Sequence, residues 1–461
     1  MPEKEPTGPK SAAPLSVSAA PSGSTSTGVS QASAPREAPK SGVPTLVTES
    51  FEPGKTLDLY PIEGALMVVN ALDVGRIVGE KVEWIGKIPD TNQWLGGSQI
   101  NAVYGAWPDG VDVLYSSLNG RAAQPTIFPL TGPKGSAFTF GAGGGLGWYS
   151  GSARFDKSTV VGGYDMTGYH IATIRGPGKP FWPTKAAKMG CTEQEMSRQW
   201  GSENAIAVGF RALAATDKGT LVTVGTLCER ENEPAAEVWD APGKSRVIPL
   251  KDMISDIGYF PDLLRGKGDV LWLYSNPVLQ YEGGQFTPLP RLERPIRNLF
   301  VSPEGKLHGI SGRAIVRLDE GKWTTIANLA YPTSFRSIAM DEQGTIWVGG
   351  NGVERLRPSA DADIENGCKT PFVYLYDVSW KNDAKYTYPT TRKALSTFPE
   401  VASIKLVEYW EGRRSLGVEV KSKEQGEAVI AHVKANMKDE HPELTCFSPK
   451  RNVRVIEMPG K

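Results

Sequence analysis

Histidine is scarce in this chain, with 4 in 461 residues, at His170, His308, His432 and His441. No cysteine pair has Cys-x-x-Cys spacing and none has histidines three to five apart nearby, so a zinc site is not expected. Gly-x-Ser-x-Gly is absent, so no nucleophile elbow accompanies them. An excess of charge of either sign is also missing, since 51 Lys and Arg balance 51 Asp and Glu. No global field therefore favours nucleic acid, and no nucleic-acid partner is expected. Long apolar runs are lacking as well: Gly64–Asn70 and Gly268–Tyr274 have strand length, far below the roughly 20 residues of a membrane helix. No membrane span is expected. The first 43 residues contain no aromatic side chain and are rich in Pro, Ser, Ala, Thr and Gly. Such a segment cannot bury enough apolar surface to offset its ordering entropy, so residues 1–43 read as a disordered tether.

Cysteine is sparse but even in number. Cys191 and Cys228 fall in the middle of the chain, and Cys368 and Cys446 bracket its last quarter. The regional pairing suggests two disulfides and an oxidising compartment, with four buried free thiols as the alternative. The tether has the composition found after the cleavage site of an exported protein or lipoprotein. A signal peptide replaced by Met1, with a lipid anchor upstream of the tether, is the expectation; a cytoplasmic protein with a low-complexity leader is the rival. The expected location is extracytoplasmic, in the periplasm or at a cell surface, as a lipoprotein or a secreted protein.

What is abundant is a repeat. Phe335–Arg357 reads as a short strand, a turn closed by Gly344, the strand Thr345–Gly349, a turn at Gly350–Gly352 and a third strand. The same pattern is aligned by Gly64, Gly305 and Gly344, and more weakly by Gly110, Gly219 and Gly268. Most intervals between these glycines are about 37 to 49 residues, the length of a four-stranded blade. The 109 residues from Gly110 to Gly219 leave room for one further blade, around Gly145–Tyr149 and Ser158–Gly162, plus an insertion at about 176–204. The fold expected is mainly β: a β-propeller of about seven blades over 44–360. The run Pro44–Ser50 is expected to supply the outer strand that the last blade lacks. Residues 369–461 change character and read β-α-β-β-α-β, which suggests a small α+β, ferredoxin-like domain. In this reading the helix spans Glu424–Met437, with Ala428, Ile430, Ala431, Val433 and Ala435 as its apolar face, and Val453–Met458 is the closing strand.

Asp341-Glu-Gln-Gly-Thr-Ile-Trp-Val-Gly-Gly-Asn-Gly-Val353 resembles the repeats of the two-component regulator propeller family, extracytoplasmic sensor modules of bacteria. The resemblance implies ligand or protein binding. It is close in this one repeat and partial in the others, and the membrane helix, kinase and DNA-binding parts of such sensors are missing. The Gly-x-Ile-Trp run is also similar to streptogramin lyase-like propellers, whose catalytic histidine and acidic residues find no match in this sequence.

Other chemical motifs give way to packing or turns. Gly141–Gly147 lacks the Lys-Ser/Thr of a phosphate loop. Trp272, Trp323 and Trp347 stand at repeat positions and read as packing residues, and His308 occupies the blade slot of Trp347. Trp182 and Trp200, in the insertion, are candidates for a ligand surface. The loops joining second and third strands carry further candidates: Asn70, Asp73, Asn119, Arg230, Asn276, Arg313 and Asn351. Solvated turns share that composition. No catalytic residue, metal or cofactor is expected. The reading is an exported or surface-tethered binding module for an envelope or extracellular protein or a glycan. The alternatives are a propeller enzyme, a lyase or hydrolase, and a spacer whose C-terminal domain makes the contacts.

Overall fold

The structure is a computed structural model. It describes residues 43–175 and 208–457 apart from 51–56, 89–97, 120–121, 132–137, 140–147, 156–157, 166–167, 228–229, 242–243, 258–261, 331–334, 351, 360–367, 369–370, 379–394, 396–403, 409–413, 437–441 and 447–453. The expected tether (save Val43), the insertion at 176–204 and the Cys191–Cys228 pair lie outside the described residues.

The chain is mainly β. Alternating apolar and polar residues punctuated by turn glycines form antiparallel meanders. The first runs Asp58–Ile62, Ala65–Asn70, Asp73–Val78 and Lys81–Lys87. The next is Ser98–Ala106, Gly110–Asn119, Ala122–Pro129 and Phe138–Thr139, followed by a three-stranded sheet of Trp148–Phe155, Ser158–Asp165 and Gly168–Arg175. Val208–Ala215, Leu221–Leu227, Arg230–Ala241 and Lys244–Pro249 form another sheet, and Leu263–Arg265, Leu271–Leu273, Leu279–Glu282 and Gln285–Pro288 a further one. The last is eight-stranded and contains two meanders. One is Ile296–Val301, Leu307–Ser311, Ala314–Asp319 and Lys322–Leu329; the other is Ser337–Met340, Ile346–Gly350 and Gly352–Pro358, completed by Thr45–Ser50.

Thr45–Ser50 joins the two halves. It pairs antiparallel with Gly352–Pro358 in the register Val47 to Arg357 and Glu49 to Arg355, as expected from the sequence. It also pairs parallel with Lys322–Leu329, Leu46 opposite Leu329, which the sequence did not suggest. The first strands touch their successors in chain order, and Ser337–Met340 returns to Asp58–Ile62, so they close a ring. This is a β-propeller-like arrangement.

The core lies between successive sheets, whose inner faces meet as in other sheet packings. Met67, Val69 and Val74 of the first meander pack on Val103, Val111 and Val113 of the second. Val222, Val224 and Val238 meet Leu271, Leu273 and Tyr281, and Trp272 and Val278 meet Leu307. The seam between chain ends is equally apolar: Ala339, Trp347 and Val353 pack on Leu57, Leu59 and Val68. Each buried Val, Leu or Met side chain among them contributes roughly 1.5–3 kcal/mol by leaving water.

Beyond Pro358 the sheet order is Glu443–Cys446, Pro371–Val378, Arg414–Glu419, Ile404–Glu408 and Arg454–Glu457, every neighbour antiparallel. The helix Lys423–Asn436 packs on Pro371–Val378 and Glu443–Cys446. Its first turn is capped where the Gln425 amide donates to Ser422 Oγ at 3.3 Å. Its buried stripe is Gly426, Val429 and Val433, at helical spacing, while Ala428 and Ala431 of the expected apolar face are exposed. The strand at the C-terminus adds to the far edge of this sheet; the strand read as closing the domain is preceded by Glu443–Cys446, which the sequence reading missed. Cys446 is disulfide-bonded to Cys368, with Cα atoms 5.5 Å apart. Among the described residues no helix is long and apolar enough to cross a membrane.

Candidate ligand-binding funnel

The turns joining first to second strands repeat one geometry. In Thr216–Thr220, Ser302–Lys306 and Asp341–Thr345 the first residue's carbonyl accepts the amide of the fourth-position glycine at 2.8–3.0 Å. Its side-chain oxygen accepts the amide of the fifth residue, at 3.2, 3.3 and 2.8 Å respectively. Gly219, Gly305 and Gly344 sit at φ of 83°, 82° and 77°, which side-chain-bearing residues rarely adopt. Asp341 does most, since it also accepts from the Gln343 amide at 3.0 Å and from Trp347 Nε1 at 2.7 Å. That bond holds the buried indole in its slot. His308 fills the matching place one meander earlier: it is buried, stacks on Phe300 at 5.1 Å, and its Nδ1 lies 3.0 Å from the Lys306 carbonyl. Burial, the largest influence, pushes the His308 pKa down.

Neighbouring turns interlock. Arg265 Nε donates to Asp217 Oδ1 at 2.7 Å, and the Gly268 amide donates to Asp217 Oδ2 at 2.8 Å. Partial burial acts upward on Asp217, but the Gly268 amide and the Arg265 guanidinium outweigh it and hold the carboxyl below its ordinary value. Trp107 donates its amide to the Glu63 carbonyl at 2.8 Å, and Arg76 lies 4.4 Å from the centre of the Trp107 ring.

Inside this ring of turns lies a cavity of about 1060 Å³. Its walls are first-strand side chains such as Ile62, Val103, Ala214, Leu264, Phe300 and Ile338; its mouth carries Glu63, Arg76, Asp217, Arg265, Lys267 and Glu342. An apolar wall with a sparse polar rim is the common make-up of a ligand pocket. Both signs of charge are spread around the rim: Glu63 and Arg76 come from the first meander, Glu342 from the last, and Asp217, Arg265 and Lys267 from turns farther round the ring.

The residues predicted from sequence stand elsewhere. Asn70 faces Asp73 across a hairpin, Asn119 ends its strand opposite Ala122, and Arg230 opens its strand opposite Leu227. Asn276 is exposed between two strands. These second-to-third-strand connections lie at the opposite strand ends from the funnel turns, because successive antiparallel turns alternate ends. Arg313 donates to the carbonyls of Leu329, at 3.0 Å, and Leu444. Trp182, Trp200 and Asn351 lie outside the described residues. The funnel residues stand on the turns joining first to second strands, whereas the sequence pattern was read as placing the ligand face at the loops joining second to third strands; the signal was the regularity of the turns themselves.

No protein-family model and no curated protein matches the chain. Among solved structures, it is similar to a streptogramin B lyase at 10% identity, covering 68% of this chain and 98% of the other, with a TM-score of 0.45. It is similar to the extracellular domain of the putative hybrid two-component system BT3049 from B. thetaiotaomicron at 10% identity, covering 72% and 44%, with a TM-score of 0.44. It is also similar to YCF48 bound to D1 peptide, at 14% identity, covering 70% and 100%, with a TM-score of 0.40.

Proposed function

We propose that the chain is an exported binding module: a seven-bladed β-propeller over 44–360 and a ferredoxin-like domain over 369–461, held to an envelope surface by the tether at 1–43, that takes a protein or glycan ligand at one end of its ring. The blade count rests on the closed sequence of first strands. The ferredoxin-like assignment rests on the order of Glu443–Cys446, Pro371–Val378, Arg414–Glu419 and Ile404–Glu408, fourth-first-third-second among the strands of a βαββαβ unit. Export is supported by the Cys368–Cys446 disulfide, which suits an oxidising compartment.

The single observation that carries the binding reading is the funnel of about 1060 Å³ with apolar walls and a polar mouth. Its chemistry favours holding over turnover. Asp217 is held below its ordinary pKa by groups that neutralise it, the wrong direction for a proton carrier near neutral pH. Screening immobilised glycans and peptides with the full chain tests the proposal. Glu342→Arg and Lys267→Glu, at the mouth, should weaken capture at least about tenfold, the loss of one charge-assisted contact. Asn70→Arg and Asn276→Arg, at the other end, should leave it unchanged. The opposite pattern would move the site to the second-to-third-strand loops.

A further inference from the structure

A second cavity, of about 490 Å³, lies where the C-terminal sheet meets the Ile296–Leu329 meander. It is lined by cations from three elements: Arg294 before the first strand of that meander, Arg313 in its second turn, and Lys434 on the helix. The acids that line it are Glu443 and Glu293. Glu443 forms an ion pair with Arg294, and the exposed Glu293 acts on the same guanidinium. Among the described residues Arg313 has no carboxylate partner: its hydrogen bonds there go to two neutral carbonyls and use two of its five N–H donors. Burial and the neighbouring Arg294 push its pKa down to about 10. A partly buried guanidinium lacking a counter-ion is costly, and an anion with good geometry relieves that cost.

Glu443, on the same wall, is taken up by its ion pair with Arg294. Ser311, Thr325 and Asn328 add neutral polar groups to the wall. We infer that this interdomain cavity is a binding site for a small hydroxylated carboxylate, an acidic sugar or hydroxy acid, whose carboxylate meets Arg313 and Lys434 and whose hydroxyls meet the polar wall of Ser311, Thr325 and Asn328. The ligand touches both the meander and the C-terminal domain, so it also stabilises their docking. This site is separate from the funnel and does not depend on it.

Isothermal titration of the full chain at fixed ionic strength tests the inference, with glucuronate, glucose, acetate and inorganic phosphate as probes. Glucuronate is expected to bind; glucose, without the charge, and acetate, without the hydroxyls, should each bind at least about tenfold more weakly, as for loss of one charged or satisfied hydrogen bond. Lys434→Gln, at an exposed helix position, should weaken glucuronate about tenfold. Lys423→Gln, on the same helix but paired with Glu427, should not. Absence of glucuronate binding, equal binding of glucose, tighter binding of phosphate, or a Lys434→Gln variant indistinguishable from the parent would each overturn it. Arg313→Gln is a secondary variant, because its loss also removes two hydrogen bonds, one of them to the C-terminal domain.

Discussion

The two halves of the eight-stranded sheet have almost the same design and a different origin. Ile296–Leu329 is one continuous meander, whereas the other half takes three strands from Ser337–Pro358 and its fourth from Thr45–Ser50, nearly three hundred residues upstream. The local half can form by short hairpin closures. The other half must close the whole ring before its last strand is satisfied, and that closure carries a chain-entropy cost that grows slowly with length. The comparison teaches that the seam is a place of added pairing. Thr45–Ser50 bonds on both edges, to its own half and to the preceding one, as the Asn328 amide donating to Pro44 and the Ala330 amide donating to Leu46 at 2.8 Å show.

Deleting residues 2–50 removes the shared strand and exposes two edges, so stability should fall by about 5 kcal/mol or more, summed from net backbone hydrogen bonds and the burial of Leu46. Urea unfolding would register this as a lower midpoint; an unchanged midpoint would mean that the seam holds without the N-terminal strand.

A smaller effect separates matching turns of the two halves. Alanine at Gly344 would find open space around its Cβ, whereas alanine at Gly305 would meet Lys267 Cβ at 2.4 Å and Lys267 N at 3.0 Å. Both replacements strain a backbone at positive φ, about 1 kcal/mol, but Gly305→Ala should cost about 2 kcal/mol more because it presses on the neighbouring turn. Equal losses in thermal unfolding would show that the turns do not interlock.

The smallest effect concerns the shared packing slot, filled by His308 in one half and Trp347 in the other. The folded-state pKa of His308 lies below its ordinary 6.5, so the unfolded chain binds the proton more readily. The His308 contribution is fully present above about pH 6.5 and is lost as pH falls through the folded-state value. Replacing His308 with Phe should flatten the fall in stability between pH 7 and pH 5, read from urea midpoints across that range. A slope identical to that of the parent would assign the acid sensitivity to other groups.

Much of the ring was legible in the sequence because its information is local. Gly305 and Gly344 announce turns, the alternation at Ile346–Gly350 announces a strand, and the interval between them measures a meander. The C-terminal domain was less legible. Glu-Leu-Thr-Cys at 443–446 has too little alternation to declare a strand, and it is held by Cys368, by pairing with Pro371–Val378 and by Arg313 from the ring. The helix was visible, but its expected face joined the buried Val433 to the exposed Ala428 and Ala431, which are as apolar on paper as the buried Val429.

By itself the sequence determined the β class, the meander length, the outer-strand role of Pro44–Ser50 and the equivalence of His308 with Trp347, since hydrophobic period and turn chemistry act over a few residues. Only the tertiary structure decided where charges gather. Asp217 meets Arg265, and Arg313 meets Arg294 and Leu444, across 48, 19 and 131 residues of sequence. The physical reason is that a turn residue's partner is chosen by which strand ends the closed ring brings side by side, and no local pattern records that choice.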